Sequence, residues 1–276
     1  VLKMQTIIIG QKKRMFINSG EIKLAVQAVG NGPPLIFSHG LTSKRTMTLE
    51  QLRPLEDSYQ IIAYDQRGHG ESTPVNDPRL YTPRAMADDI AALMDTLGIE
   101  QAIIGGESMG AAIATTFALK YPDRVSTLLL TAPAFGDTDN DQKPRFLEIA
   151  QVIRAHGIKE FVNKARPVWI KQMNLSAPAA DLLTDLFLGH QPESLATAME
   201  SVIYWRPFYS INELSALNMP VKILAWENDP LHPLVLARNM AAVINDVRLR
   251  ILTSPTVIFE SPQTIGKFYR QLLAGR

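Results

Sequence analysis

The sequence predicts an α/β fold: a mostly parallel central sheet flanked by helices, with a helical lobe inserted late in the chain. Three observations carry that reading. Short apolar runs (Leu35-Ile36-Phe37, Ile61–Tyr64, Ala102–Ile104, Val125–Leu130, Val221–Trp226) alternate with stretches of helical period, the pattern of a sheet covered on both faces. Several of these runs end in polar or glycine-rich turns, as buried strands do when they deliver polar residues at their carboxyl ends. Between Pro133 and about Leu217 the strand rhythm stops and apolar residues recur only at helical spacing. The 276 residues accommodate one large domain, or one core with a smaller lobe inserted. The expected division is a core of 1–132 and 218–276 and a lobe of 133–217. Extra helices packed beside the sheet are the alternative for the lobe.

Taken in order, the first 65 residues read mainly as strands joined by tight turns. Met15–Ile17 and Ile22–Val29 flank Asn18-Ser19-Gly20, a hairpin signal, and Gly30-Asn31-Gly32-Pro33-Pro34 breaks the pattern before Leu35. Met86, Ile90, Leu93, Met94 and Leu97 form one apolar stripe, entered at Pro83 and left at Gly98. Ala102–Gly106 is a strand running into Glu107-Ser108-Met109-Gly110, and Ala111–Tyr121 is helical. In the lobe, helices are expected around Pro144–His156, Ile158–Met173, Ala179–Leu188 and Glu193–Tyr204. A helix around Leu234–Val243, a strand around Arg248–Leu252 and a final helix around Thr264–Leu273 complete the core.

Composition narrows the function. The 28 Lys+Arg nearly cancel the 27 Asp+Glu, and 46% of residues are hydrophobic, which argues against a disordered chain or a nucleic-acid-coating surface. The basic triplet Lys12-Lys13-Arg14 reads as a solvated edge. With no cysteine there is no disulfide and no thiolate nucleophile or ligand. The five histidines, His39, His69, His156, His190 and His232, show no compact ligand spacing, so no metal is expected. The glycine-rich turns fit neither dinucleotide nor Walker patterns, and no cofactor is expected. No segment approaches the roughly 20 apolar residues that span a bilayer, and no export-like apolar run is visible. The expectation is a cytoplasmic protein without membrane insertion or nucleic-acid partner, monomeric or homodimeric.

Gly106-Glu107-Ser108-Met109-Gly110 is the sharpest chemical signal, a G-x-S-x-G between a strand and a helix. A strained turn there needs small residues on either side so that the serine protrudes, and the following helix aligns its amide dipoles behind it. With this motif the sequence resembles the alpha/beta-hydrolase superfamily, in its small cap-bearing branch of esterases, lactonases, carbon-carbon bond hydrolases and haloperoxidase-like enzymes. The resemblance runs from Gly20 to Leu273, with the lobe, the family's cap or lid, least constrained. It implies that Ser108 is the nucleophile and that the amide of Leu41, after His39-Gly40, joins the Met109 amide in holding a developing oxyanion. Asp65-Gln66-Arg67-Gly68-His69-Gly70-Glu71-Ser72 resembles the family's turn after the next core strand, and His69 is read as structural. A serine at the elbow argues against the epoxide and haloalkane hydrolases of this fold, which use aspartate there.

Asp229, after the Val221–Trp226 strand, stands at the family's acid position, where it would orient an imidazolium. The family's histidine is expected in a turn after the last core strand, five residues before the Glu of an E-x-P step. Here Pro255 occupies that place, before Glu260-Ser261-Pro262, and no histidine follows His232. Proline has no titratable group and takes no proton from serine. Three readings stand: an inactivated form, a natural noncatalytic relative, or chemistry relocated to another base. His232, three residues past Asp229, is the substitute base or else a loop histidine with a structural or substrate-contact role.

The leading functional expectation is a serine-nucleophile hydrolase acting on a small or medium apolar ester, lactone or related acyl compound. A noncatalytic ligand-binding protein on the same fold and a carbon-carbon bond hydrolase or lyase are the alternatives. His39, Trp169, Tyr204, Trp205, Phe208 and Tyr209 are the candidate pocket residues.

Overall fold

The computed structural model describes residues 7–9, 12–139 and 141–275, with side chains from Arg14 onward. Among the described residues nine strands form one sheet: β1 (Ile7–Ile9), β2 (Lys12–Ser19), β3 (Ile22–Val29), β4 (Pro34–Ser38), β5 (Gln60–Tyr64), β6 (Ala102–Glu107), β7 (Val125–Thr131), β8 (Val221–Trp226) and β9 (Val247–Leu252). Their spatial order is β1-β2-β3-β5-β4-β6-β7-β8-β9. The first three strands and the β3–β5 pair run antiparallel, and every pairing from β5 across to β9 is parallel. The strand ends after β4, β6, β8 and β9 therefore emerge along one edge of the sheet.

Period-two alternation explains why the sheet needs helices on both faces. Ile36, Ile62, Ile104, Leu128, Leu130 and Ile223 belong to one buried core, while Leu35, Phe37, Ile61, Ile103, Leu129 and Leu224 belong to a second one. The first core is covered by α2 (Pro83–Leu97), α3 (Met109–Lys120) and α7 (Leu234–Val243). The second is covered by α1 (Arg45–Leu52) and α9 (Thr264–Leu273), with Leu52, Ile265 and Tyr269 fully buried. In α2 the predicted limits hold: Thr82 accepts from the Ala85 amide and Pro83 opens the first turn.

Two helices were not anticipated. The stretch expected to be mainly strands contains α1, whose buried positions include Arg45, Thr48 and Gln51, so no apolar stripe announced it. The short α8 (Val257–Glu260) follows β9. Between β7 and β8 lie α4 (Lys143–Gln172), α5 (Ala177–Leu188) and α6 (Pro192–Val202), with no strand among the described residues. Gly157 (φ 80°, ψ 163°) breaks α4 into the two segments read from the sequence.

This helical segment is tied to the rest of the molecule at defined points. Glu260 of α8 accepts from both the amide and the hydroxyl of Ser176, at 2.6 and 2.7 Å. The Trp205 indole N–H donates to the Tyr81 carbonyl at 3.0 Å, and the Val75 amide donates to Ser194 Oγ at 3.0 Å. His190, between α5 and α6, donates from Nε2 to the Thr42 carbonyl at 3.1 Å. Phe161, Trp169 and Phe187 pack against one another with ring centroids 5.1–6.3 Å apart.

Candidate active site

Ser108 sits at the step from β6 into α3 with φ 54° and ψ −111°. That is the first corner of a type II′ turn, a conformation glycine adopts freely and other residues hold only under strain. The flanking glycines are required by contact. A Cβ on Gly106 would lie 2.1 Å from the Gly110 carbonyl oxygen, and one on Gly110 would lie 2.0 Å from the Ser38 carbonyl oxygen. The strain leads to a direct prediction: Ser108→Gly raises the stability of the fold by about 1 kcal/mol, an increase of about 2–4 °C in Tm for a chain of this size. A melting temperature at or below that of the parent chain contradicts it.

The loop after β8 places its groups against this serine. Asn228 takes a positive φ of 56°, and Asp229 Oδ1 accepts from the amides of Leu231 at 2.9 Å and His232 at 3.2 Å. This tight turn brings His232 Nδ1 to 2.7 Å from Asp229 Oδ2 and His232 Nε2 to 2.9 Å from Ser108 Oγ. Partial burial works to raise the Asp229 carboxyl, but the hydrogen bond and charge of His232 and the two loop amides outweigh it and hold the group below its usual value. The carboxylate thus fixes the tautomer: Nδ1 carries the proton toward Asp229, and Nε2 is free to accept from the serine hydroxyl. Chemically, a hydroxyl so placed can pass its proton to the imidazole as its oxygen forms a new bond.

Leu41 lines the same cavity as Ser108, and Met109 follows the serine in the chain. Met109 opens α3, so its amide has no acceptor one turn earlier. The turn holding Leu41 is pinned through its carbonyls: His69 Nε2 lies 2.8 Å from Leu41 O, His190 donates to Thr42 O, and the Ser43 amide donates to Gly40 O at 3.0 Å. The Leu41 amide itself meets no acceptor among the described residues.

A cavity of about 580 Å³ opens onto Ser108, Asp229 and His232. Its walls come from the sheet edge and the helical segment alike, including Leu41, Phe135, Ile149, Phe161, Trp169 and Phe187. Pro255 lines it from the loop after β9. Of the aromatic candidates, Trp169 lines the cavity. Tyr204 and Tyr209 point into solvent instead, 64% and 87% exposed, while Trp205 and Phe208 are buried away from it. Trp205 is held there by its bond to Tyr81 and by packing against Phe135. His39 is buried behind the loop, its Nδ1 donating to the Gly40 carbonyl at 2.7 Å and its Nε2 accepting from the Gln66 amide at 3.1 Å.

Two further ionisable residues line the cavity and had not been singled out. Glu107, beside the serine, is buried and accepts from Gln51 Nε2 at 2.5 Å. Burial pushes its carboxyl above the ordinary value, and the Asp229 charge adds to this against the pull of Gln51 and His232. Arg145 lines the cavity from the first turn of α4. The variable position of the G-x-S-x-G motif flagged Glu107 as adjacent to the serine, whereas nothing in the sequence separated Arg145 from other surface basic residues. Among the described residues, no group of three or more His, Asp or Glu side chains is arranged to hold a metal ion, and no helix is long and apolar enough to cross a membrane.

The family model for the alpha/beta hydrolase fold matches residues 33–256, most of the chain. The chain belongs to the alpha/beta hydrolase family. The 3-oxoadipate enol-lactonase 2 of Acinetobacter baylyi is 29% identical over 205 residues, covering 72% of this hydrolase and 72% of that protein. The 2-(acetamidomethylene)succinate hydrolase of Mesorhizobium japonicum is 40% identical over 114 residues, a match that spans 41% of this chain and only 40% of that relative. Among solved structures, a thermophilic esterase from Thermogutta terrifontis superposes with a TM-score of 0.79 at 28% identity, over 95% of this chain and 98% of that one. The fold expected from the sequence is thus that of the family. The relatives named here carry the names of hydrolytic enzymes.

Proposed function

We propose that the protein is a serine hydrolase of a small or medium acyl compound, an ester or lactone, with Ser108 as nucleophile, His232 as general base and Asp229 as the group that orients it. One observation carries the reading: the continuous hydrogen-bonded path from Asp229 Oδ2 through the His232 ring to Ser108 Oγ, with steps of 2.7 and 2.9 Å. Ser108 Oγ attacks the substrate carbonyl carbon as its proton moves to His232 Nε2. The amides of Leu41 and Met109 receive the oxyanion of the tetrahedral intermediate. His232 then gives the proton to the departing alkoxide, leaving an acyl-serine. Water, deprotonated by His232, attacks that ester, and the acid leaves as Ser108 regains its proton.

In this reading residues 133–217 act as a cap that supplies the apolar wall and keeps bulk water from the acyl group. The cavity's size suits a ligand of a few hundred daltons. The enol-lactonase and esterase names among the relatives support carbonyl–oxygen cleavage as the reaction class. The test is hydrolysis of a panel of activated short-chain esters by the parent chain and by Ser108→Ala. Turnover in the parent that falls at least a thousandfold in Ser108→Ala is the expected result. Equal turnover in both, or saturable ligand binding without turnover on any member of the panel, overturns the proposal.

A further inference from the structure

The cavity's charge is not balanced internally. Of its acidic linings, Asp229 is committed to His232 and Glu107 is held by Gln51. Arg145 is the remaining charged lining group, and no carboxylate pairs with it among the described residues. The other arginines of the segment 133–217 are all paired: Arg154 with Glu193 and Glu200, Arg166 with Asp181, and Arg206 with Asp139.

The position of Arg145 is also unfavourable for a merely structural cation. It lies in the first turn of α4, which has no acidic residue and where the helix dipole disfavours positive charge. An anion at that place would be welcomed by the guanidinium. Arg145 and Ile149 lie one turn apart on the same side of α4, and Phe146 lines the cavity beside them, so a ligand touching those apolar groups has the guanidinium within reach. The cavity thus presents an acyl-reactive serine, an apolar middle and a single uncommitted cation.

We propose that the substrate is a carboxylate-bearing ester or lactone, a half-ester of a dicarboxylic acid or its cyclic equivalent, whose free carboxylate pairs with Arg145 while Ser108 attacks the other carbonyl. This inference rests on the serine hydrolase reading and adds the substrate class to it. Burial keeps Glu107 inclined to the neutral acid, which removes the charge that would otherwise oppose an anionic ligand.

The experiment compares 4-nitrophenyl hydrogen glutarate with its methyl-capped neutral counterpart, reading nitrophenolate release. The expected result is a kcat/KM at least about tenfold higher for the anionic ester, expressed mainly in KM and shrinking with added salt because the guanidinium is exposed. That preference falls at least tenfold in Arg145→Gln and is partly recovered in Arg145→Lys. A preference of one or less in the parent chain, or one unchanged in Arg145→Gln, overturns the inference while leaving the hydrolase reading intact. Failure of the hydrolase reading looks different, since neither ester is then turned over in a Ser108-dependent way. In that case calorimetric titration of glutarate into the Ser108→Ala protein still decides the carboxylate site: saturable binding that weakens at least tenfold in Arg145→Gln supports it, and no saturation up to about 10 mM glutarate sinks it.

Discussion

Replacing His232 by Ala lowers kcat/KM on an activated ester by about 10³–10⁴-fold, equivalent to about 4–5.5 kcal/mol of transition-state stabilisation. The ring is the group within hydrogen-bond distance of Ser108 Oγ on one side and of a carboxylate on the other, so its loss removes the proton acceptor and strands Asp229 without its partner. Asp229→Asn costs about 10³-fold for a different reason: an amide facing Nδ1 can donate, which favours the tautomer with its proton on Nε2, unable to accept from serine. The two losses are far from additive, because the groups act as a unit. The parent chain is expected to be active as it stands, with proline at 255. Activity that appears only after Pro255→His would instead identify a chain disabled at the position where the family's histidine is expected.

A second large effect concerns stability in mild acid. His39 and His190 are each committed as a hydrogen-bond acceptor through one ring nitrogen, His39 from the Gln66 amide and His190 from the Gly70 amide at 3.4 Å, while the other nitrogen donates to a carbonyl. Protonating either ring sets an N–H against an N–H. Burial, followed by the neighbouring His69, depresses both groups, His39 well below 6.5 and His190 to about 3, with Arg45 and Lys44 respectively adding to the effect and backbone carbonyls opposing it. His69, whose ring centroid lies 5.2 Å from each of the others, is itself lowered by burial against the pull of the Arg67 and Leu41 carbonyls and the Asp65 charge.

The sign follows from which state binds protons. Below pH 6.5 the unfolded chain protonates these histidines and the native chain does not, so the stability they contribute is present above 6.5 and is lost as pH falls toward the native values. With two such groups the unfolding free energy drops by about 3 kcal/mol per pH unit once well below 6.5. Glu107 runs the other way. Its raised native value gives stability that is complete below the unfolded value and lost as pH rises through the native one, so it returns part of the loss at the acid end. Urea unfolding across pH 4.5–8 measures the slope. In His190→Asn it is expected to flatten by about 1.4 kcal/mol per pH unit, and an unchanged slope would show that His190 is not held neutral by the contacts described.

The sequence carried the parallel sheet because most of its strands are short apolar runs whose alternate residues serve two different cores. It carried α2 because Pro83, Gly98 and the apolar stripe are local signals. Helix α1 was hidden for the opposite reason. Polar residues share its buried positions with Met47 and Leu52, and two of them are held across long distances, Arg45 by Asp65 and Gln51 by Glu107, which no periodicity records. Ser108 and Asp229 were legible from motif and order, whereas the approach of His232 depends on the turn that Asp229 itself caps and on a positive φ at Asn228. Tyr204 and Tyr209 show the limit of reading pockets from composition, since both lie past the end of α6, where no periodicity says which side meets the cavity.

In the proposed mechanism His232 makes Ser108 nucleophilic. Intact-protein mass after exposure to a fluorophosphonate tests this directly, because the reagent traps an activated serine with loss of fluoride and needs no knowledge of the natural substrate. The expected result is a single adduct mapped to Ser108 in the parent chain, forming at least about 100-fold more slowly in His232→Ala. Labelling of Ser108 at the same rate in both proteins would contradict the account.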